Sequence, residues 1–166
     1  EVNGVAMTLA KLVQGLSHRN HDVQLIRPRQ TKTELPLNDA SLEEVLMRGM
    51  PIPRYPELKL GLPSKKTLVK TWTMRRPDVV HIATEGPLGT LARRYAVRMG
   101  WNFTTCYHTA YPQYVSARLP VPERWTYAIL RRFHNASAAT LVATETLQQE
   151  LSSKGFSRLE LWSRGV

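Results

Sequence analysis

Two short apolar runs in this chain stop on polar groups that could do chemistry. Phe103-Thr104-Thr105-Cys106-Tyr107-His108-Thr109 is a β-branched and aromatic stretch ending on a histidine. Some twenty residues upstream, Asp78-Val79-Val80-His81-Ile82-Ala83-Thr84-Glu85-Gly86 ends on a carboxylate. In an open parallel sheet the strand C-termini line the crevice where ligands bind. A histidine delivered there can be a general base, a metal ligand or a hydrogen-bond donor to substrate, or can be satisfied by a neighbouring carbonyl. Glu85 can accept hydrogen bonds from sugar hydroxyls, or cap the helix opening at Pro87, where the helix dipole adds about 0.3–1 kcal/mol. Either role keeps it at the ligand edge. Asn3-Gly4 stands before a helical pattern and lacks the three-glycine dinucleotide fingerprint. It is an ordinary turn, or it lets a pyrophosphate approach N–H groups at a positive helix end.

Other chemistries lack their residues. There is no Gly-x-Ser-x-Gly nucleophile turn. Lys65-Lys66-Thr67 follows Pro63-Ser64 and not the glycine-rich loop of a phosphate-binding motif. His81, Glu85 and His108 fall on different elements with no zinc or di-iron spacing, so no metal is expected. His81 lies inside its strand and reads as core or as support behind a site. Cys106, the single cysteine, excludes an internal disulfide framework and reads as buried and inert.

The elements that must position these groups follow from periodicity. Val5, Leu9, Leu12, Val13 and Leu16 share a helical stripe, and His21 to Ile26 alternates as a strand closed by Pro28. Gln30 to Asn38 reads as a loop, with short strands at Glu44 to Arg48 and Leu58 to Leu60. Pro51, Pro53 and Pro56 between them argue against regular structure. A helix runs from an N-cap at Ser64 to Arg75, stopped by Pro77, before a buried strand at Val79 to Ala83. Pro87 opens a helix to Met99 with Gly100 as its stop, and Phe103 to Tyr107 is a strand. Beyond a loop from Tyr111 to Pro122 come a helix at Glu123 to Ala136 and a strand at Ala139 to Ala143. A helix at Thr146 to Lys154, closed by Gly155, leads to a last strand at Leu159 to Trp162. Strand alternating with helix predicts an α/β, Rossmann-like, doubly wound, mostly parallel sheet. Glu1-Val2-Asn3-Gly4 begins as a strand-to-helix turn does when its strand is missing, so the chain is expected to be a fragment.

These segments resemble the N-terminal domain of bacterial family-four glycosyltransferases of the GT-B fold, the glycolipid-directed and mannosyl-type group in particular. The residues that carry the likeness are Glu1-Val2-Asn3-Gly4-Val5, Gly49 to Pro56, His81-Ile82-Ala83-Thr84-Glu85-Gly86-Pro87-Leu88-Gly89, Tyr107-His108-Thr109 and Trp162 to Val166. The resemblance implies that residues 1–166 are a single acceptor-side domain, the N-terminal half of a GT-B enzyme. The C-terminal donor-binding domain would be absent, and the isolated chain inactive. It implies transfer of a sugar, mannose among the candidates, from a GDP- or UDP-linked donor to a hydroxyl of a lipid or glycolipid, with retention and without a cofactor or metal. His108 would hold the transferred sugar. Gly4 and Asn3 would lie near the donor diphosphate, and Glu85, Gly86, Thr109 and Tyr111 would line the acceptor side, with Tyr114 nearby.

The charge balance, 23 Lys+Arg against 13 Asp+Glu, is formally +10 and favours anionic partners. Eight of the positive residues form the pairs Lys65-Lys66, Arg75-Arg76, Arg93-Arg94 and Arg131-Arg132 on expected helix faces. No recognised nucleic-acid module accompanies it. A non-catalytic nucleotide- or nucleic-acid-binding module, or another GT-B sugar enzyme, is the alternative function. No apolar run approaches a membrane span of about 20 residues, and no secretory signal is visible. Under the resemblance the protein is cytoplasmic, or peripheral on the inner face of an anionic membrane. The docking segment would be Arg118 to Arg132, with Leu119, Trp125 and Tyr127 in contact. Against this, Trp125, Ile129 and Phe133 at helical spacing are expected to pack inward.

Overall fold

The computed structural model describes residues 4–52, 55–108 and 122–162. The chain divides into two compact units, residues 1–65 with 86–88, and residues 66–85 with 89–166.

In the first unit, helix α1 (Gly4–His18) carries the predicted apolar stripe. Strands β1 (Val23–Pro28) and β2 (Leu42–Met47) pair in parallel, Val23 opposite Leu42 and Pro28 opposite Met47. The connection between them is held by charge. Glu44, buried within β2, accepts from Arg27 Nε at 2.6 Å and from the Leu37 N–H at 2.8 Å, while Arg27 also reaches Glu34 at 2.7 Å. Arg27 holds the Glu34 carboxyl below the usual carboxylate range.

The proline-rich stretch departs from expectation. Strands β3 (Gly49–Ile52) and β4 (Tyr55–Gly61) form an antiparallel ribbon, with Pro51 opposite Lys59 and a register shift after Pro51. Pro51 and Pro56 therefore lie in strands. In a two-stranded ribbon both strands are edges, so a residue without an N–H sits where no ladder bond is needed. Pro53 is outside the described residues.

The second unit follows the sequence more closely. Helix α2 (Lys65–Met74) buries Leu68 and Trp72, and Trp72 packs on Tyr95 and Trp101 at 5.4 and 5.6 Å. Strands β5 (Val80–Ile82), β6 (Phe103–Tyr107), β7 (Ala139–Val142) and β8 (Leu159–Leu161) form one parallel sheet in that order. Helices α3 (Pro87–Met99), α4 (Glu123–His134) and α5 (Glu145–Ser153) alternate with the strands. This is the Rossmann-like α/β pattern. Gly100 and Gly155 end α3 and α5 in the left-handed conformation, at φ 65° and 81°, as their helix-stop roles require. Val79 is exposed, so β5 is shorter than the predicted strand.

Register sorts the sheet residues by face. Val80, Ile82, Phe103, Thr105, Tyr107, Thr140 and Val142 share one face and are all buried. Tyr107 and Val142 join Tyr127, Leu130, Leu151 and Phe156 in a single apolar cluster. His81, Thr104, Cys106 and Leu141 share the other face.

Helix α4 corrects the expected inward packing. Tyr127, Leu130 and Phe133 are buried, but Trp125 and Ile129 are 61% and 69% exposed. At 100° per residue, Trp125 and Ile129 lie about 160° and 200° round the axis from Tyr127, opposite the buried stripe. Phe133 keeps the predicted role. Tyr127 loses its predicted surface role, since its hydroxyl is turned in to Glu150 at 3.1 Å.

Candidate active site

β5 and β6 are adjacent and in register, Ile82 opposite Thr105, so the residues just beyond them emerge at the same C-terminal sheet edge. His108 follows Tyr107 directly, and Glu85 lies between Ile82 and the start of α3 at Pro87. The structure thus brings these two predicted groups to neighbouring strand ends of the second unit. Gly4 and Gly86 belong to the first unit. Gly4 opens α1 and is exposed; a Cβ added there meets nothing within 4 Å. A Cβ on Gly86 would approach Leu60 at 3.3 Å. Asn3, Thr109, Tyr111 and Tyr114 lie outside the described residues, as do Arg118 and Leu119.

His108 is half-buried, with Nδ1 3.5 Å from Cys106 Sγ. Cys106 is buried, as the sequence suggested. On the same sheet face as Cys106, His81 lies inside β5 with Nδ1 2.9 Å from Thr104 Oγ1, and its ring stands edge-to-face with Trp162 at a centroid distance of 6.4 Å. Burial, and then the neighbouring His108, press the His81 pKa down to about 4. His81 is therefore neutral near pH 7. Among the described residues no group of three or more His, Cys, Asp or Glu side chains is placed to hold a metal ion.

Glu85 is held by a residue that the sequence pattern gives no role. Its Oε1 lies 3.0 Å from Nε2 of His134 in α4, a fully buried ring. His134 Nδ1 lies 2.9 Å from Thr105 Oγ1, which meets Thr140 Oγ1 at 3.0 Å and Ser137 Oγ at 3.3 Å. The Glu85 carbonyl accepts from Thr90 Oγ1 at 3.2 Å. The carboxylate therefore has a side-chain partner in the core in addition to any cap or ligand role. One signal was available: His134 stands at i+7 from Tyr127, in the stripe that α4 buries. A cleft bounded by Arg76, Asp78, Trp101 and Asn102 opens at the other, N-terminal edge of the strands, away from these groups.

Residues 2–166 match the family model for Glycosyltransferase Family 4. The chain belongs to glycosyltransferase family 4. It is 28% identical, over its whole length, to 44% of a GDP-mannose-dependent alpha-mannosyltransferase of Mycobacterium tuberculosis. A protein of the same name from Mycolicibacterium smegmatis is 25% identical over 99% of the chain and 44% of the relative. Sulfoquinovosyl transferase SQD2 of Arabidopsis thaliana is 26% identical over 72% of the chain and 24% of the relative. The chain therefore spans less than half the length of these curated relatives. The family assignment agrees with the resemblance read from the Ala83-to-Gly89 block and Tyr107-His108-Thr109.

Proposed function

We propose that the chain is the acceptor-side domain of a retaining glycosyltransferase that moves mannose from GDP-mannose to a hydroxyl of a lipid or glycolipid. A separate donor-binding domain would supply the nucleotide site. The observation that carries the reading is the match to family 4 across residues 2–166 in a chain that sets His108 and Glu85 on neighbouring strand ends. The donor is taken from the names of the mycobacterial relatives.

In the reaction, the bond from the sugar's anomeric carbon to the diphosphate oxygen breaks and a bond to the acceptor oxygen forms on the same face. The acceptor's proton passes to the departing diphosphate, so no protein base is needed. His108 holds the sugar, and the protein's contribution is orientation and stabilisation of developing charge. Gly4 supports a donor-side role, because no packing among the described residues demands a glycine there. The open space suits a phosphate approaching the positive end of α1. In the full-length enzyme, His108→Ala is expected to lower turnover of GDP-mannose about tenfold to a hundredfold, the loss of one hydrogen bond made in the transition state. Release of GDP measures it, and wild-type turnover by a folded H108A enzyme would refute the assignment.

A lipid acceptor places the enzyme at a membrane surface. Exposed Trp125 and Ile129 on α4, with exposed Arg124 and Arg132 alongside, support docking of this helix on anionic lipid. No helix among the described residues is long and apolar enough to cross a membrane. Trp125→Ser with Ile129→Ser is expected to lower flotation with phosphatidylglycerol vesicles at low salt severalfold. Equal flotation of the variant and the parent would remove α4 as the contact.

A further inference from the structure

We propose that His134 is a positioning residue that fixes the Glu85 carboxylate for recognition of a polyhydroxylated acceptor, an inference that rests on the acceptor-side reading of Glu85. Glu85 stands on the four-residue connection between β5 and α3, and its carboxylate reaches past that connection to α4. The orientation comes from beneath. The His134 ring is 1% exposed and is packed against Phe133, Tyr107 and Phe156, with ring centroids at 5.2, 5.4 and 6.0 Å. It has no room to swing.

Hydrogen counting orders the network. An ionised carboxylate only accepts, so His134 Nε2 carries a proton and donates to Glu85 Oε1. In the tautomer with its hydrogen on Nε2, Nδ1 accepts and the Thr105 hydroxyl donates to it. Thr105 has spent its single hydrogen, so it accepts from Thr140. Ser137 donates its own hydrogen to the His134 carbonyl at 2.6 Å. Every hydroxyl gives one hydrogen, and the chain of donors ends on the carboxylate. A histidine needed only to fill this aromatic pocket would be served as well by an apolar ring, without desolvating polar groups. What the polar chain adds is direction. It commits Oε1 to the core and leaves Oε2 to accept from ligand hydroxyls, an arrangement suited to a sugar or other polyol.

The test uses the full-length enzyme, GDP-mannose, and a lipid-linked or soluble mannoside as acceptor. Glu85→Gln is expected to raise the acceptor KM on the order of tenfold, with the KM for GDP-mannose unchanged. His134→Leu is expected to raise the acceptor KM by a similar factor, and His134→Gln, which keeps an N–H for Glu85, to recover most of it. Added to Glu85→Gln, His134→Leu should raise the acceptor KM little further, because the two act through one contact. If Glu85→Gln shifts the acceptor KM while folded His134→Leu does not, the positioning role is overturned and the reading of Glu85 stands. An unchanged acceptor KM in Glu85→Gln overturns both. Should His134→Leu fail to fold, Thr105→Val decides, since it leaves the ring in place and removes the donor to Nδ1. A raised acceptor KM there supports the network, and an unchanged one overturns it.

Discussion

Gly89→Ala is expected to destabilise the protein by about 3 kcal/mol, although the same change in an open helix is favourable by close to 1 kcal/mol. Gly89 lies in the first turn of α3, where that helix passes over the end of β5. A Cβ built on it would fall 2.0 Å from the Thr84 carbonyl oxygen, 3.2 Å from the Thr84 carbonyl carbon and 3.0 Å from Ile82 Cγ2. The first two are backbone atoms, so no rotamer change relieves the clash. Either α3 lifts or the Ala83–Glu85 segment shifts, and both undo packing around Ile82, which is buried. Gly15, exposed in α1 with nothing within 4 Å of an added Cβ, supplies the contrast. Urea denaturation of the two variants should show opposite signs, Gly15→Ala slightly stabilised and Gly89→Ala strongly destabilised. A Gly89→Ala protein with the parent's midpoint would refute the close approach. The segment that moves carries Glu85, so the acceptor-side role proposed for that residue predicts that turnover by the full-length protein falls with it.

Much of this architecture is legible in the residues themselves, for reasons that differ by element. β6 is read to the residue because Phe103 to Tyr107 is a buried strand bounded by turn formers, and α3 because Pro87 and Gly100 mark both ends. The ribbon containing Pro51 and Pro56 is hidden, since the penalty for proline depends on whether a strand is an edge. That is settled by tertiary pairing and not by the run itself. α4 is ambiguous in a similar way. Trp125, Ile129 and Phe133 make one apolar stripe at i, i+4 and i+8, and Tyr127, Leu130 and His134 make another. The second faces the core, where Tyr127 and Leu130 join Tyr107 and Phe156, and of the first only Phe133 is buried with it. The strand-end positions of His108 and Glu85 follow from pattern alone. The tie from Glu85 to His134, 49 residues away, does not, because nothing local in either segment specifies the other.

His81 is expected to make stability fall as the solution is acidified, well before the carboxylates titrate. Its ring lies inside β5, Nδ1 meets Thr104, and Nε2 is buried with no hydrogen-bond partner among the described residues. Burial and the adjacent His108 favour the neutral form, lowering the pKa from 6.5 to about 4. Unfolding returns the ring to water, where it takes up a proton below about pH 6.5. Between these values the unfolded chain binds more protons than the folded one, so stability rises with pH across that window. The contribution is fully present above pH 6.5 and lost as pH falls to about 4, a change of about 3 kcal/mol. His81→Asn, which removes the titrating ring and keeps a polar group for Thr104, should flatten this limb. The measurement is the urea midpoint of parent and variant at pH 7.5, 6 and 5, a range in which ordinary carboxylates stay ionised and cancel in the difference. The parent should lose about 2 kcal/mol more than the variant over that range. Parallel profiles would mean that the His81 ring takes up its proton in the folded protein over the same pH range as in the unfolded chain, and that burial does not hold it neutral.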